Sequence, residues 1–188
     1  RIELSEQKAI SMSKKAPYKS FQAIAGALAL LCCSFAGAQS DSPHAGPVMN
    51  YHRVNDQLVT GGHLLDGGAA ALKDQGVNVV INLRDDAPTD EQKRFADLGI
   101  EWINIPIEWR DPKEEDFDRF VEVMGEHQDD HVLVQCAANY RASAMTYLYR
   151  VVVENVPEEE AAKDMLAVWD PDEYDTWREY ISAIESGR

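Results

Sequence analysis

The sequence predicts one α/β domain with a central, mostly parallel sheet flanked by helices. Two observations carry that expectation. Apolar runs of strand length alternate with segments whose apolar residues recur at helical spacing, and such alternation builds a parallel sheet with helices on its faces. The length of 188 residues fits one domain and hardly two, at roughly 100–200 residues per domain. A hydrophobic fraction of 45% and four tryptophans are enough to build a core, which excludes global disorder.

In chain order, residues 39–49 read as a linker, with Ser, Asp, Pro and Gly between Ser40 and Pro47. The domain occupies 50–188. Tyr51–Val54 and Leu58–Thr60 suggest a short hairpin around Asn55-Asp56. Leu65, Ala69 and Leu72 give Leu64–Gln75 a helical face, and Gly76 is a natural stop. Val77–Leu83 is nearly all β-branched or Leu, the composition of a strand buried on both faces. Thr89–Leu98 is a helix stopped by Gly99, Ile100–Ile107 a strand, Glu114–Gly125 a helix and His131–Gln135 another apolar strand. Ala142–Glu154 carries Met145, Leu148, Tyr149 and Val152 on one face. Two further helices are expected at Glu158–Trp169 and Asp172–Ser186, with Asp170-Pro171 as N-cap and first-turn proline. Tyr174, Trp177, Ile181 and Ile184 read as the core stripe of the last helix.

Before the linker stands an export signal. Lys14, Lys15 and Lys19 precede an apolar run from Ala23 to Phe35 that ends in Ala36-Gly37-Ala38. These are the basic region, apolar region and A-x-A cleavage site of a secretory leader. Met12 makes a natural start for it, which places residues 1–11 upstream. The run is shorter than the ~20 apolar residues of a membrane span, so no stable membrane anchor is expected. Cys32 and Cys33 lack the small preceding residue that lipoprotein processing requires. Residues 1–38 are therefore read as an extension and cleaved leader, and the mature protein as periplasmic or secreted.

Charge excludes several partners. The chain has 18 Lys+Arg against 33 Asp+Glu, a formal net charge of −15. Cutting after Ala38 removes five basic and two acidic residues, leaving 13 against 31, a net −18. Binding to a nucleic-acid backbone needs clustered Lys and Arg, and anionic lipid surfaces need the same. Of the three cysteines only Cys136 survives cleavage, so the mature protein is no disulfide scaffold, and that thiol is either inert in the core or reactive. The histidines are scattered without metal-ligand spacing and there is no cysteine cluster, so neither metal nor cofactor is expected.

The surroundings of Cys136 favour reactivity. In open α/β sheets, ligands bind beyond the carboxyl ends of the strands. Arg84-Asp85-Asp86, Glu108, Asp111 and Cys136 all follow predicted strands. The run Gln135-Cys136-Ala137-Ala138-Asn139-Tyr140-Arg141-Ala142-Ser143 joins a strand to a helix through small residues. Backbone N–H groups at a helix N-terminus make an anion cradle, and the same field favours a thiolate. Arg141 adds a planar fork for two anion oxygens. With no glycine in this loop, Asn139 is the residue suited to a left-handed conformation.

These residues carry a resemblance to the cysteine-based phosphatases, in particular the bacterial dual-specificity and tyrosine phosphatase-like group. The likeness runs from about Asn50 to Val153. Its landmarks are Val59-Thr60-Gly61-Gly62, Asn82-Leu83-Arg84, Ile105-Pro106 and the Cys136 loop, in that order. The resemblance implies Cys136 as nucleophile, forming a phosphocysteine that water hydrolyses. It implies Arg141 and the loop from Ala137 to Ser143 as the phosphate cradle, and an Asp as donor to the leaving oxygen. Asp111, beside Pro112, is the preferred donor and Glu108 the second; Trp109 and Tyr140 are candidates for the cleft wall. The implied substrate is a phosphorylated protein or small phosphomonoester, with phosphotyrosine included.

Three features depart from the family pattern. Four residues rather than five separate Cys136 from Arg141, although Ser143 still stands seven after the Cys, where the family has its hydroxyl. Gln135 replaces the usual His, and the loop lacks Gly. A Cys-x4-Arg loop also occurs in rhodanese sulfurtransferases, so a sulfurtransferase and a catalytically silent phosphatase-like binding module remain alternatives. The net charge disfavours polyanionic substrates through long-range repulsion.

Overall fold

The computed structural model describes residues 46–86 and 88–187. The leader and most of the linker read from the sequence lie outside the described residues. Among the described residues, five strands and six α-helices follow in this order: β1 (His52–Arg53), β2 (Leu58–Gly61), α1 (Gly68–Asp74), β3 (Val79–Asn82), α2 (Thr89–Ala96), β4 (Glu101–Asn104), α3 (Glu114–Glu126), β5 (Val132–Gln135), α4 (Tyr140–Val152), α5 (Glu158–Leu166) and α6 (Asp175–Ser186). The sheet order is β1-β2-β5-β3-β4. β1 pairs with β2 antiparallel, and the other four strands are parallel. The expected α/β architecture is what the chain forms.

β5 lies at the centre, and all four residues of β2, β3 and β5 are buried, as the unbroken apolar runs require. Side chains alternate between two cores. Val79, Ile81, Val132 and Val134 pack toward α3, α4 and the C-terminal helices, around Phe117, Met145, Leu148 and Trp177. Val59, Val80 and Leu133 face Leu72 of α1 and Phe95 of α2. Each fully buried Val, Leu or Phe is worth about 1.5–3 kcal/mol of transfer free energy. Ten residues of α4 are buried, so this helix serves as an inner layer between sheet and C-terminal helices.

The last helix departs from expectation. Instead of one segment from Asp172, a short 3₁₀ turn at Pro171–Glu173 precedes α6, with extended backbone at Tyr174 between them. Asp170 does cap that turn, accepting from the Asp172 amide at 3.0 Å. The break removes Tyr174 from the core stripe. Trp177, Ile181 and Ile184 are buried as expected, but Tyr174 is 39% exposed. Among the described residues, no helix is long and apolar enough to cross a membrane.

Candidate active site

The parallel register brings the carboxyl ends of three strands together. Gly61 of β2 and Asn82 of β3 both stand opposite Gln135, the last residue of β5. The Cys136 amide donates to Gly61 O at 3.0 Å, and the Leu83 amide to Gln135 O at 2.7 Å. Cys136 thus leaves the central strand with both neighbours bonded to the backbone around it.

Gly62 lets the loop approach the end of β2, and Gly61 lets Val48 approach it. A Cβ on Gly62 would lie 2.7 Å from Ala137 O and 3.0 Å from Ala138 Cα, and one on Gly61 would lie 2.1 Å from Val48 Cγ2. The His63 amide donates to Ala137 O at 2.9 Å. Asn139 takes the left-handed conformation, with φ 71°, and is fully buried. Its amide donates to Asn50 O (2.6 Å) and Thr60 Oγ1 (3.0 Å), and Asn50 returns a bond to Ala138 O at 3.0 Å. Asn139 therefore replaces the loop glycine by anchoring its side chain, which offsets the steric cost of its backbone.

The first backbone bond of α4 runs from the Ser143 amide to Asn139 O, at 2.9 Å. The amides of Tyr140, Arg141 and Ala142 precede it and are the orphan donors of the helix N-terminus. A cavity of about 260 Å³ opens at this end of the helix, lined by Trp109, Cys136, Ala137, Ala138, Tyr140, Arg141 and Tyr174. Of the residues expected in the cradle, Cys136, Ala137, Ala138, Tyr140 and Arg141 line this cavity. Asn139 and Ala142 support it from within the buried loop and helix.

Ser143 faces elsewhere. Its hydroxyl donates within the helix, toward Asn139 O (2.7 Å) and Tyr140 O (3.1 Å), and accepts from Trp169 Nε1 at 3.0 Å. Two helical steps from Arg141 turn it by about 200°, so the two side chains point to opposite sides of α4.

Arg141 is 6% exposed. Its Nη1 donates to Ile107 O at 2.6 Å and to Asp85 Oδ1 at 3.0 Å. Asp85 follows the end of β3, next to β5, and orients the guanidinium. The sequence marks it only as an acid after a strand, because its pairing depends on a strand order not visible in the chain. Arg84 is gripped by Asp86 through two bonds of 2.8 Å. That hydrogen bonding holds Arg84 above its ordinary pKa, with the charges of Asp86, Glu91 and Cys136 adding to it, and Asp86 is correspondingly lowered.

At the position where the resemblance expects His, Gln135 donates to the buried Glu91 carboxylate at 2.7 Å, and Glu91 also accepts from the Leu64 amide at 3.2 Å. The loop of the expected acids runs along the cavity wall. Its Trp109 lines the cavity, while Asp111 is exposed and paired with Lys113, and Glu108 is exposed. The C-terminal helix ties this loop down, with Trp177 Nε1 donating to Trp109 O and Tyr180 Oη to Lys113 O, each at 3.0 Å. Tyr140 stacks on Trp169 at 4.9 Å, and Tyr174 meets Trp109 edge-on at 5.3 Å. Tyr174, read from the sequence as core, is a wall of the cavity. Among the described residues no group of three or more His, Cys, Asp or Glu is placed to hold a metal ion.

A family model described as DSP-PTPase phosphatase fused to NAD+ kinase matches residues 43–183. The chain belongs to this family. Its fold is that of the cysteine-based phosphatases. A candidate DUF442 phosphatase from Shewanella putrefaciens CN-32 is 33% identical, with a TM-score of 0.67 over 74% of this chain and 91% of that one. TpbA of P. aeruginosa, solved in complex with pTyr, is 17% identical with a TM-score of 0.61, over 76% and 91% of the two chains. The core catalytic domain of the PP-IP phosphatase SIW14 from S. cerevisiae is 11% identical with a TM-score of 0.62, over 72% and 85%. At these identities the last two show the shared fold. No match was found among curated proteins.

Proposed function

We propose that this protein is an exported, cysteine-dependent phosphatase that hydrolyses a phosphomonoester through a phosphocysteine intermediate. The observation that carries the reading is the meeting, at one cavity, of the Cys136 thiol, Arg141 and the orphan amides of α4. In the first step Cys136 Sγ attacks phosphorus and the bond to the leaving oxygen breaks. Asp111 gives the leaving oxygen its proton, after releasing Lys113 and turning toward the cavity beside Trp109. Water then attacks the phosphocysteine, restoring the thiol and releasing inorganic phosphate. The loop amides and Arg141 hold the three equatorial oxygens, over which the charge of the transferring phosphoryl group is spread in the transition state.

The walls suggest the ester. Trp109, Tyr140 and Tyr174 surround the cavity over Cys136, a lining suited to stacking an aryl group. Phosphotyrosine fits that chemistry and is the ligand of TpbA. Export rests on the basic region, apolar run and Ala36-Gly37-Ala38 site, with a mature N-terminus at Gln39.

Hydrolysis of phosphotyrosine and of an alkyl phosphomonoester, each with wild type and Cys136→Ser, tests the reading. A thiosulfate:cyanide sulfurtransferase assay runs beside it. Turnover that disappears in Cys136→Ser, with no sulfur transfer, is the expected result. Phosphate binding without turnover would leave a binding module, and sulfur transfer alone would replace the phosphocysteine with a persulfide.

A further inference from the structure

Helix α4 has a second cavity at its other end. This one, of about 370 Å³, lies between the β1–β2 turn, the segment leading from α3 into β5, and the end of α4. The 13 residues of α4 rise roughly 20 Å at 1.5 Å per residue, so this cavity is separate from the Cys136 site. The two ends also differ electrically. The N-terminus beside Cys136 carries the positive end of the helix dipole and the C-terminus here carries the negative end.

The cavity's walls divide by chemistry. Leu58, Met124 and Val132 supply apolar surface, while Tyr149, Glu154, His127 and Asp130 supply polar groups, and no lysine or arginine is among the lining residues. Asp130 is already engaged, by His127 Nδ1 at 2.8 Å and by the Asn78 amide. Tyr149 and Glu154 are not. Tyr149 is only 4% exposed and packs edge-on against Phe120, yet its hydroxyl has no hydrogen-bond partner among the described residues. Glu154 is exposed and has no cationic partner among them. The two groups are near enough that Glu154 adds to the effect of burial in raising the Tyr149 phenol above its ordinary pKa.

The Tyr149 hydroxyl reaches the cavity wall with no protein partner among the described residues, so a ligand in the cavity can take its hydrogen bond in place of water. An anion is excluded by Glu154, Asp130 and the helix end. A neutral polar molecule would satisfy Tyr149 but gain nothing from the charge of the carboxylate or from the helix dipole. We propose that this cavity binds a protonated primary alkylamine, whose ammonium donates to the Glu154 carboxylate and the Tyr149 oxygen while its methylenes lie along Leu58, Met124 and Val132. This goes beyond the phosphatase reading and does not depend on it. The amine has two sources, a free diamine or a lysine side chain presented by another protein.

The test titrates the full chain, followed by NMR and calorimetry, with three probes: 1,5-diaminopentane, Nα-acetyl-lysine amide and 1,5-pentanediol. Diaminopentane should bind with a dissociation constant of about 1 mM or tighter and shift the amides around Tyr149 and Glu154, and pentanediol should not. Equal binding of the lysine amide identifies a protein lysine as the source, and preference for the diamine identifies a free amine. Glu154→Gln should weaken binding about five-fold by removing the charge interaction. Tyr149→Phe, which removes one oxygen from a packed ring, should weaken it as well. The proposal is overturned if neither amine binds saturably, if pentanediol binds as well, or if both variants bind like wild type.

Discussion

Replacing Arg141 with lysine keeps a positive charge at the Cys136 cavity but removes the planar fork. One terminal nitrogen of Arg141 is already committed to Ile107 O at 2.6 Å and Asp85 Oδ1 at 3.0 Å. On the proposed mechanism, the remaining N–H groups of this 6% exposed side chain hold the phosphoryl group in the cavity that Arg141 lines. Lysine has a single nitrogen, which must either keep those anchors or reach the phosphoryl group. A hydrogen bond to a charged group is worth about 1.5–3 kcal/mol. Losing about 2.7 kcal/mol of transition-state stabilisation lowers kcat about 10²-fold. The assay is initial-rate hydrolysis of an aryl phosphate across substrate concentrations, with vanadate as competitive inhibitor. Arg141→Lys should reduce kcat by that factor and weaken vanadate together with it. If both quantities stay within a few-fold of wild type, the anion is not held by Arg141, and Arg84 at the neighbouring strand end becomes the next residue to substitute.

Two further substitutions test the supports of the site and the core. Gly62→Ala places a methyl group 2.7 Å from Ala137 O, a backbone atom that cannot rotate away; unfolding free energy should fall by about 1–3 kcal/mol and kcat with it, and an unchanged melting temperature would show that the loop does not rest on β2. Tyr147 is buried and donates to Glu185, and burial followed by that bond raises its phenol well above the ordinary range. A raised folded-state pKa gives stability that is full below the unfolded value of about 10 and is lost as pH rises beyond it, at up to about 1.4 kcal/mol per pH unit. Denaturant unfolding on both sides of pH ~10 should show that decline in wild type and a smaller one in Tyr147→Phe; equal slopes would remove Tyr147 from the linkage.

The sheet was legible because its signal is local. Val79–Asn82 and Val132–Gln135 are runs of apolar residues closed by one amide and buried on both faces, and Gly76 and Gly99 follow the first two helices. The loop was legible for a similar reason, since a thiol, small residues and an arginine stand within six positions. What the chain conceals is non-local. Asp85 meets Arg141 across 56 residues only because β3 pairs with β5. Ser143 stands at the family's hydroxyl spacing from Cys136, and only the rotation of α4 reveals that its hydroxyl bonds to Asn139, Tyr140 and Trp169. Tyr174 fits the helical stripe by spacing, but the Pro171 turn ends before it and leaves its ring at the cavity. The acid loop shows the same limit. Spacing selects Asp111, while the pairing with Lys113 and the anchoring by Trp177 and Tyr180 arise from tertiary packing.

The central claim is that Cys136 forms a covalent bond to phosphorus during turnover. Mixing the protein with an aryl phosphate, quenching in alkaline denaturant, which preserves the acid-labile S–P bond, and mapping the peptides by mass spectrometry tests it directly. The account predicts a phosphoryl adduct on the peptide containing Cys136, present during turnover, absent from Cys136→Ser, and longer-lived when the hydrolysis step is slowed. Hydrolysis that proceeds with no adduct on Cys136, and at the wild-type rate in Cys136→Ser, would contradict it.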